Sequence, residues 1–132
     1  MKYIYPAIFT KEGEGYSVSF PDLEDVFTCG DTLSHALEMA QDVLPLMLRN
    51  YEDSGREIPK SSDIQSIRLE TPENEFVTLI SADTTAYRKK YNTKSVKKTL
   101  TIPEWLNEIA EAKEVNFSQV LQKALKEELQ LQ

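Results

Sequence analysis

The sequence predicts an α+β protein in two parts: a strand-strand-strand-helix-strand layer over residues 1–83 and a strand-helix-helix unit over residues 94–132, joined by a linker at 84–93. Three observations predict it. Apolar residues alternate at period two near the start of the chain and again after residue 95, the spacing of a half-buried strand. They recur at three and four steps over 33–51, 105–110 and 120–129, the spacing of one helix face. Charge is also divided: residues 1–86 hold 6 bases and 16 acids, net −10, and residues 87–132 hold 9 bases and 6 acids, net +3, within a total of −7. Such asymmetry points to a basic partner for the first part and an anion for the second.

Tyr3, Tyr5, Ala7 and Phe9 alternate with Ile4, Pro6 and Ile8, a strand apolar on both sides with Pro6 confined to an edge or a non-bonding place. Lys11-Glu-Gly-Glu-Gly15 supplies a turn, and Tyr16, Val18 and Phe20 between serines make the second arm of a hairpin. Val26-Phe-Thr-Cys29 reads as a short third strand, with Cys29 a small buried hydrophobe. Thr32 is placed to cap a long helix whose stripe runs from Leu33 to Tyr51, and Gly55 suits its left-handed end. Pro45 lies inside that stripe, which predicts a kink near Gln41 to Leu44 or two shorter helices. Ile64 to Leu69 is a weak strand or loop, Glu75 to Ser81 a stronger strand, and 83–90 a short helical turn before a hinge near Asn92. Packing one long helix on such a sheet gives a two-layer α+β fold.

In the C-terminal part Val96, Leu100 and Ile102 fall on one side of a two-residue period, with Lys97, Thr99 and Thr101 on the other. Pro103 ends the strand and suits a helix start. Trp105, Leu106, Ile109 and Ala110 make one stripe; Asn116 caps a second helix, with Gln119 three residues on, whose stripe is Val120, Leu121, Ala124, Leu125 and Leu129. The 36 residues from 94 to 129 are too few to bury three such stripes alone. A second copy solves this by pairing its strand antiparallel, with four helices behind the ribbon.

The run Val96-Lys-Lys-Thr-Leu-Thr-Ile-Pro103, followed by Asn116-Phe-Ser-Gln-Val-Leu-Gln-Lys-Ala-Leu125, resembles the ribbon-helix-helix family. The resemblance implies a β-ribbon in the DNA major groove, with Lys97, Thr99 and Thr101 reading bases. Lys98 stands where members usually carry an apolar residue. From Arg88 to Lys98 there are six bases and no acid, so Lys94 and Lys98 suit phosphates. The helix start at Asn116, Phe117 and Ser118 offers N–H groups to a backbone phosphate.

Tyr16-Ser-Val-Ser-Phe-Pro-Asp-Leu23 and Thr28-Cys-Gly-Asp-Thr-Leu-Ser-His-Ala-Leu-Glu-Met-Ala40 resemble the HicB antitoxin family over nearly the whole chain. The spacer Glu24-Asp-Val-Phe-Thr-Cys29 departs from the Pro-Gly-Cys-like turn of many members. The resemblance implies a truncated RNase H-like first domain that binds a HicA-type mRNA-cleaving toxin, and a dimeric tail that binds the operator of its own operon. Homodimers pairing further, to tetramers or larger assemblies with toxin, are compatible with it. The toxin-contacting residues are not specified by the sequence beyond the acidic first domain.

No cofactor or metal site is expected, and no catalytic residue. Cys29 is the only cysteine, so neither an internal disulfide nor a CxxC site is available. The four glycines form no phosphate-cradling motif. His35, the only histidine, sits early in the long helix, where a capping role fits better than a triad. Asp22, Glu24, Asp25 and Asp31 cluster in sequence, but in a loop and a cap rather than on a central strand as a two-metal nuclease would need. A metal-dependent nuclease and a stand-alone, ligand-sensing repressor are the alternatives. No apolar run approaches the ~20 residues that span a bilayer, and Lys11 and Glu12 come early for a signal peptide. The expectation is a cytoplasmic protein.

Overall fold

The computed structural model describes residues 1–131, which form two compact units, Met1–Lys94 and a second beginning at Ser95. The first unit contains β1 (Lys2–Glu12), β2 (Gly15–Phe20), β3 (Leu23–Gly30), α1 (Leu33–Ser54), a 3-10 turn (Ile64–Ser66), β4 (Glu75–Asp83) and α2 (Thr84–Tyr91). Its four strands form one antiparallel sheet in the order β3-β2-β1-β4. The second unit contains α3 (Glu104–Ala112) and α4 (Phe117–Glu128).

Register follows the apolar alternation. Phe9 lies opposite both Val18 and Phe76, so these side chains share a face, and the Phe9 and Phe76 rings stack with centroids 5.1 Å apart. Tyr5, Ala7, Phe9, Val18, Phe20, Ile80 and Ala82 form the sheet side of a core whose helical side is Ala36, Ala40, Leu44, Leu48 and Tyr51. Burying each large member of such a core stabilises by roughly 1.5–3 kcal/mol.

Pro6 occupies the non-bonding place expected of it. In an antiparallel pair alternate residues bond to opposite neighbours. The Lys11 N–H bonds to the Asn74 carbonyl at 2.8 Å, so odd residues of β1 serve β4 and even ones face β2. The β1–β2 register begins at Ile8, opposite Ser19. Pro6 therefore faces a side with no strand beside it, and its missing N–H costs no ladder bond.

Three expectations need correction. Pro45 does not split the long helix, which runs unbroken through it for 22 residues. Ala40, Leu44 and Leu48, all fully buried, hold the helix on the sheet on both sides of the bond that Pro45 cannot give to Gln41. Cys29 is exposed, not buried, because β3 is an edge strand that buries Val26 and turns Phe27 and Cys29 away from α1. Most of the 84–93 segment is helix rather than linker: Asp83 caps α2 by accepting from Thr85 N–H at 3.0 Å and Ala86 N–H at 3.2 Å, and α2 packs on α1.

In the second unit, residues 95–103 have no strand beside them within the chain. Pro103 occupies the cap position just before α3 and makes no side-chain cap bond. Between the helices Glu114 is left-handed at φ 55°, and Val115 N–H reaches the Ala110 carbonyl at 3.0 Å while Glu114 N–H reaches Glu111 at 3.0 Å. That is a Schellman ending built without glycine. No described residue of this unit is buried.

Candidate functional site

The arm ahead of α3 carries Lys94, Lys97, Lys98, Thr99 and Thr101, all exposed. Its alternate residues Val96, Leu100 and Ile102 are exposed too, Val96 by 85%. The apolar stripes continue this condition: Trp105 is 63% exposed, and Ile109, Val120 and Leu125 about half. An isolated soluble unit rarely leaves such a continuous set of large apolar side chains open to water. Amphipathic helices of 9 and 12 residues are also shorter than lone helices need to be for stability in water.

Asn116 caps α4 as expected, its Oδ1 accepting from Gln119 N–H at 3.1 Å. The first intrahelical bond is Val120 N–H to the Asn116 carbonyl at 3.1 Å. The N–H groups of Phe117 and Ser118 thus lie in the open first turn, at the positive end of the helix dipole. Lys97, Lys98 and this turn belong to the second unit, and Lys94 is the last residue of the first.

The basic run from Arg88 to Lys98 is divided between the units. Arg88 belongs to α2 and is committed within the first unit, bonding Asp53 at 2.7 Å and Glu52 at 3.1 Å. Lys90 lies over the Tyr91 ring at 5.2 Å. The second unit, from Ser95 on, has 5 bases and 6 acids. Its cationic character is therefore local to the arm at Lys97 and Lys98, adjoining Lys94, rather than a property of the whole tail.

Two polar clamps in the first unit were not legible in the sequence. Asp25 accepts from the Tyr51 hydroxyl and from Arg56 at 2.9 Å. These two bonds hold its carboxyl below the ordinary range, while burial, then Asp25, push the Tyr51 phenol up to about 12. The second clamp centres on Glu52, which accepts from Tyr3 at 2.7 Å, Thr84 at 2.9 Å and Arg88 at 3.1 Å. Burial works against the Glu52 carboxylate, but the bonds from Tyr3, Arg88 and Thr84 outweigh it, and its carboxyl titrates below the usual range. Burial and the Glu52 bond raise Tyr3 to about 12. Glu52 thereby ties β1, α1 and α2 together.

The acids weighed as metal ligands are dispersed. Asp22 accepts from the Ser62 hydroxyl and, at 2.9 Å, from Ser62 N–H. Asp25 is held in its clamp, and among the described residues no group of three His, Cys, Asp or Glu side chains could hold a metal. His35 is part of a helix start: its N–H reaches Thr32 Oγ1 at 3.1 Å, and its Nδ1 accepts from Asp31 N–H at 3.1 Å, which places the proton of the neutral ring on Nε2. No helix among the described residues is long and apolar enough to cross a membrane.

A model of the HicB-like antitoxins of bacterial toxin-antitoxin systems matches residues 5–125. A 14.9 kDa protein from the rep-hol intergenic region of Haemophilus phage HP1 is 31% identical over 104 residues, 78% of this chain and 75% of its own length. Antitoxin HicB 2 of Photorhabdus laumondii is 40% identical over 68 residues, 52% of this chain and 49% of that antitoxin. The match thus spans about half the length of that relative. Among solved structures, a chain of a toxin-antitoxin complex from Streptococcus pneumoniae superposes with a TM-score of 0.62 at 30% identity, covering 97% of this chain and 99% of its own. A chain of the HicA3 and HicB3 toxin-antitoxin complex, at 21% identity and a TM-score of 0.52, shares the fold over 61% of this chain and 99% of its own.

Proposed function

The chain belongs to the HicB-like antitoxin family of bacterial toxin-antitoxin systems, a family of antitoxins rather than enzymes, and on that premise we propose a division of labour between its units. The first, which we read as a truncated RNase H-like layer, binds and neutralises a HicA-type RNA-cleaving toxin in the cytoplasm. The second pairs with that of another copy as a ribbon-helix-helix dimer and binds operator DNA, repressing its own operon. Toxin-loaded dimers can then associate further.

The observation that carries the second half is the absence of any buried residue among those described from Ser95 on, beside an arm whose apolar residues alternate with Lys97, Thr99 and Thr101. Pairing two arms antiparallel would satisfy their backbone groups and put the three polar side chains on the outer face, where a ribbon meets the major groove. Lys94, Lys98 and the N–H groups of Phe117 and Ser118, set by the Asn116 cap, would take phosphates. For the first half, the acidic balance of residues 1–94, 10 bases against 16 acids, suits fast association with a protein that must be basic to hold RNA.

The test has two arms. Co-expression with the protein of the adjoining reading frame should rescue growth and yield a complex of defined mass, and a variant with alanine at 97, 99 and 101 should still do both. That same variant should lose operator binding in a gel shift, since each good base contact contributes about 1–3 kcal/mol. A triple variant that shifts operator as the wild type does would remove the DNA-reading assignment.

A further inference from the structure

The two edges of the sheet are built differently, and from that difference we infer that the outer edge of β4 is a strand-pairing site for an extended segment of a basic protein. The inference rests on the antitoxin reading and assigns to it a docking place.

The geometry comes from the ladder. The β1–β4 pairing runs without a shift from Lys2 opposite Asp83 to Thr10 opposite Glu75. It continues at both ends, with Lys11 N–H on the Asn74 carbonyl at 2.8 Å and Thr84 N–H on the Met1 carbonyl at 3.0 Å. Asn74, Phe76, Thr78, Ile80, Ala82 and Thr84 are thus the residues bonded to β1. By alternation the N–H and C=O groups of Val77, Leu79 and Ser81 point away from the sheet. None of these outward groups has a backbone partner among the described residues. The 3-10 turn at Ile64–Ser66 lies beside β4, but its own bonds are internal, Ser66 N–H to Asp63 and Ile67 N–H to Ile64.

Proteins ordinarily blunt such an edge with a bulge, a charge or a proline. β3 follows that rule: its register shifts opposite Ser19 and Phe20, and it carries Glu24 and Asp25 within the strand. β4 does not. Its nine residues include no proline, no bulge and no lysine, Leu79 is half exposed at its centre, and its only charges are Glu75 and Asp83 at the ends.

The end charges select the occupant. Pairing the full edge with the same strand of a second copy would set Glu75 opposite Asp83 twice, like charges directly across a ladder. A segment with alternating apolar residues and Lys or Arg near its ends meets the same edge favourably, adding a strand through main-chain bonds.

The experiment uses the full-length chain with the small basic protein of the adjoining reading frame. On complex formation the amides of Val77, Leu79 and Ser81 should become protected from hydrogen exchange, and those of Phe27 and Cys29 on the opposite edge should not. Leu79→Pro removes an outward N–H without touching the β1 ladder and should weaken the complex at least ~10-fold, the loss of one buried hydrogen bond or more, with melting and operator binding unchanged. Should that proline unsettle the fold, Leu79→Lys supplies the same test by charge. Unprotected edge amides, or variants that bind as tightly as the wild type, would overturn the edge assignment and leave the antitoxin reading standing. Protection that appears in the free chain and grows with its concentration would give the edge to a second copy, and no complex with wild-type chain would remove both readings.

Discussion

The two units of this chain solve the same problem at different scales. The first closes its core within one copy: α1 covers one face of a four-stranded sheet, and Phe9, Leu44 and Leu48 are excluded from water. The second has stripes of comparable apolarity and excludes none of them. What separates the two is not helix quality, since both have capped helices, Thr32 on α1 and Asn116 on α4. It is the sheet. Four strands provide a surface broad enough to bury a 22-residue helix, and a single arm does not. The first unit thus closes a core of its own, and on the proposed reading the second would gain one by pairing with another copy.

The largest effect should come from breaking that contrast at its centre. Phe9→Ala should cost the first unit roughly 3–5 kcal/mol, with a melting transition independent of chain concentration. Ile109→Ala should instead give a transition in the second unit whose midpoint moves with concentration, read by calorimetry across a dilution series. Close behind stands Gly30→Ala: a Cβ there would come within 2.2 Å of the Ala36 backbone nitrogen. Neither backbone can yield easily, and a loss on the order of 2–4 kcal/mol is expected in urea melts.

Acidification sharpens the comparison further. Asp25 and Glu52, both in the first unit, titrate below their ordinary values. A carboxyl depressed in the fold contributes stability that is complete above its unfolded value, near about 4, and is lost as the pH falls through the lower folded value. Melting temperature of the first unit should therefore fall below about pH 4, and Asp25→Asn with Glu52→Gln should flatten that dependence while lowering the plateau at neutral pH. Tyr3 and Tyr51, raised to about 12, act at the other end, their contribution being lost as the pH rises above about 10.

The smallest effect belongs to the turn between α3 and α4. Glu114→Gly should stabilise the second unit by roughly 0.5–1 kcal/mol, because its left-handed backbone suits glycine and strains a residue with a Cβ. The gain should appear as a higher midpoint at fixed chain concentration.

Much of the fold was legible because it is local. The Tyr3 to Phe20 hairpin, the caps at Thr32 and Asn116 and the left-handed Gly55 each follow from a few neighbouring residues, and the structure has them in place. The failures required knowledge of distant partners. Pro45 predicted a kink or two shorter helices; the helix is not split, and Leu44 and Leu48 on either side of the proline are buried. Cys29 was expected inside because four residues of a short strand do not say which sheet face the helix will cover. The helical turn at 83–90 is legible in the sequence, but its assignment to a linker misses that Arg88 is drawn back to Glu52 and Asp53, more than thirty residues earlier. For the candidate site, alternation put Lys97, Thr99 and Thr101 on one face, and the resemblance alone supplied the role proposed for them. The clamps around Asp25 and Glu52 could not be named, since hydrogen bonds across 26 to 49 residues leave no periodic trace.

The order of strands also sets a timetable. β1 lies in the interior of the sheet and pairs with β4 across a span reaching from Lys2 to Asp83. During translation β1 must wait, with one side open, until the chain has been made through Asp83. A chain cut short before Asp83 lacks the strand that closes the first unit, whereas one cut just after Lys94 contains every strand and helix of that unit.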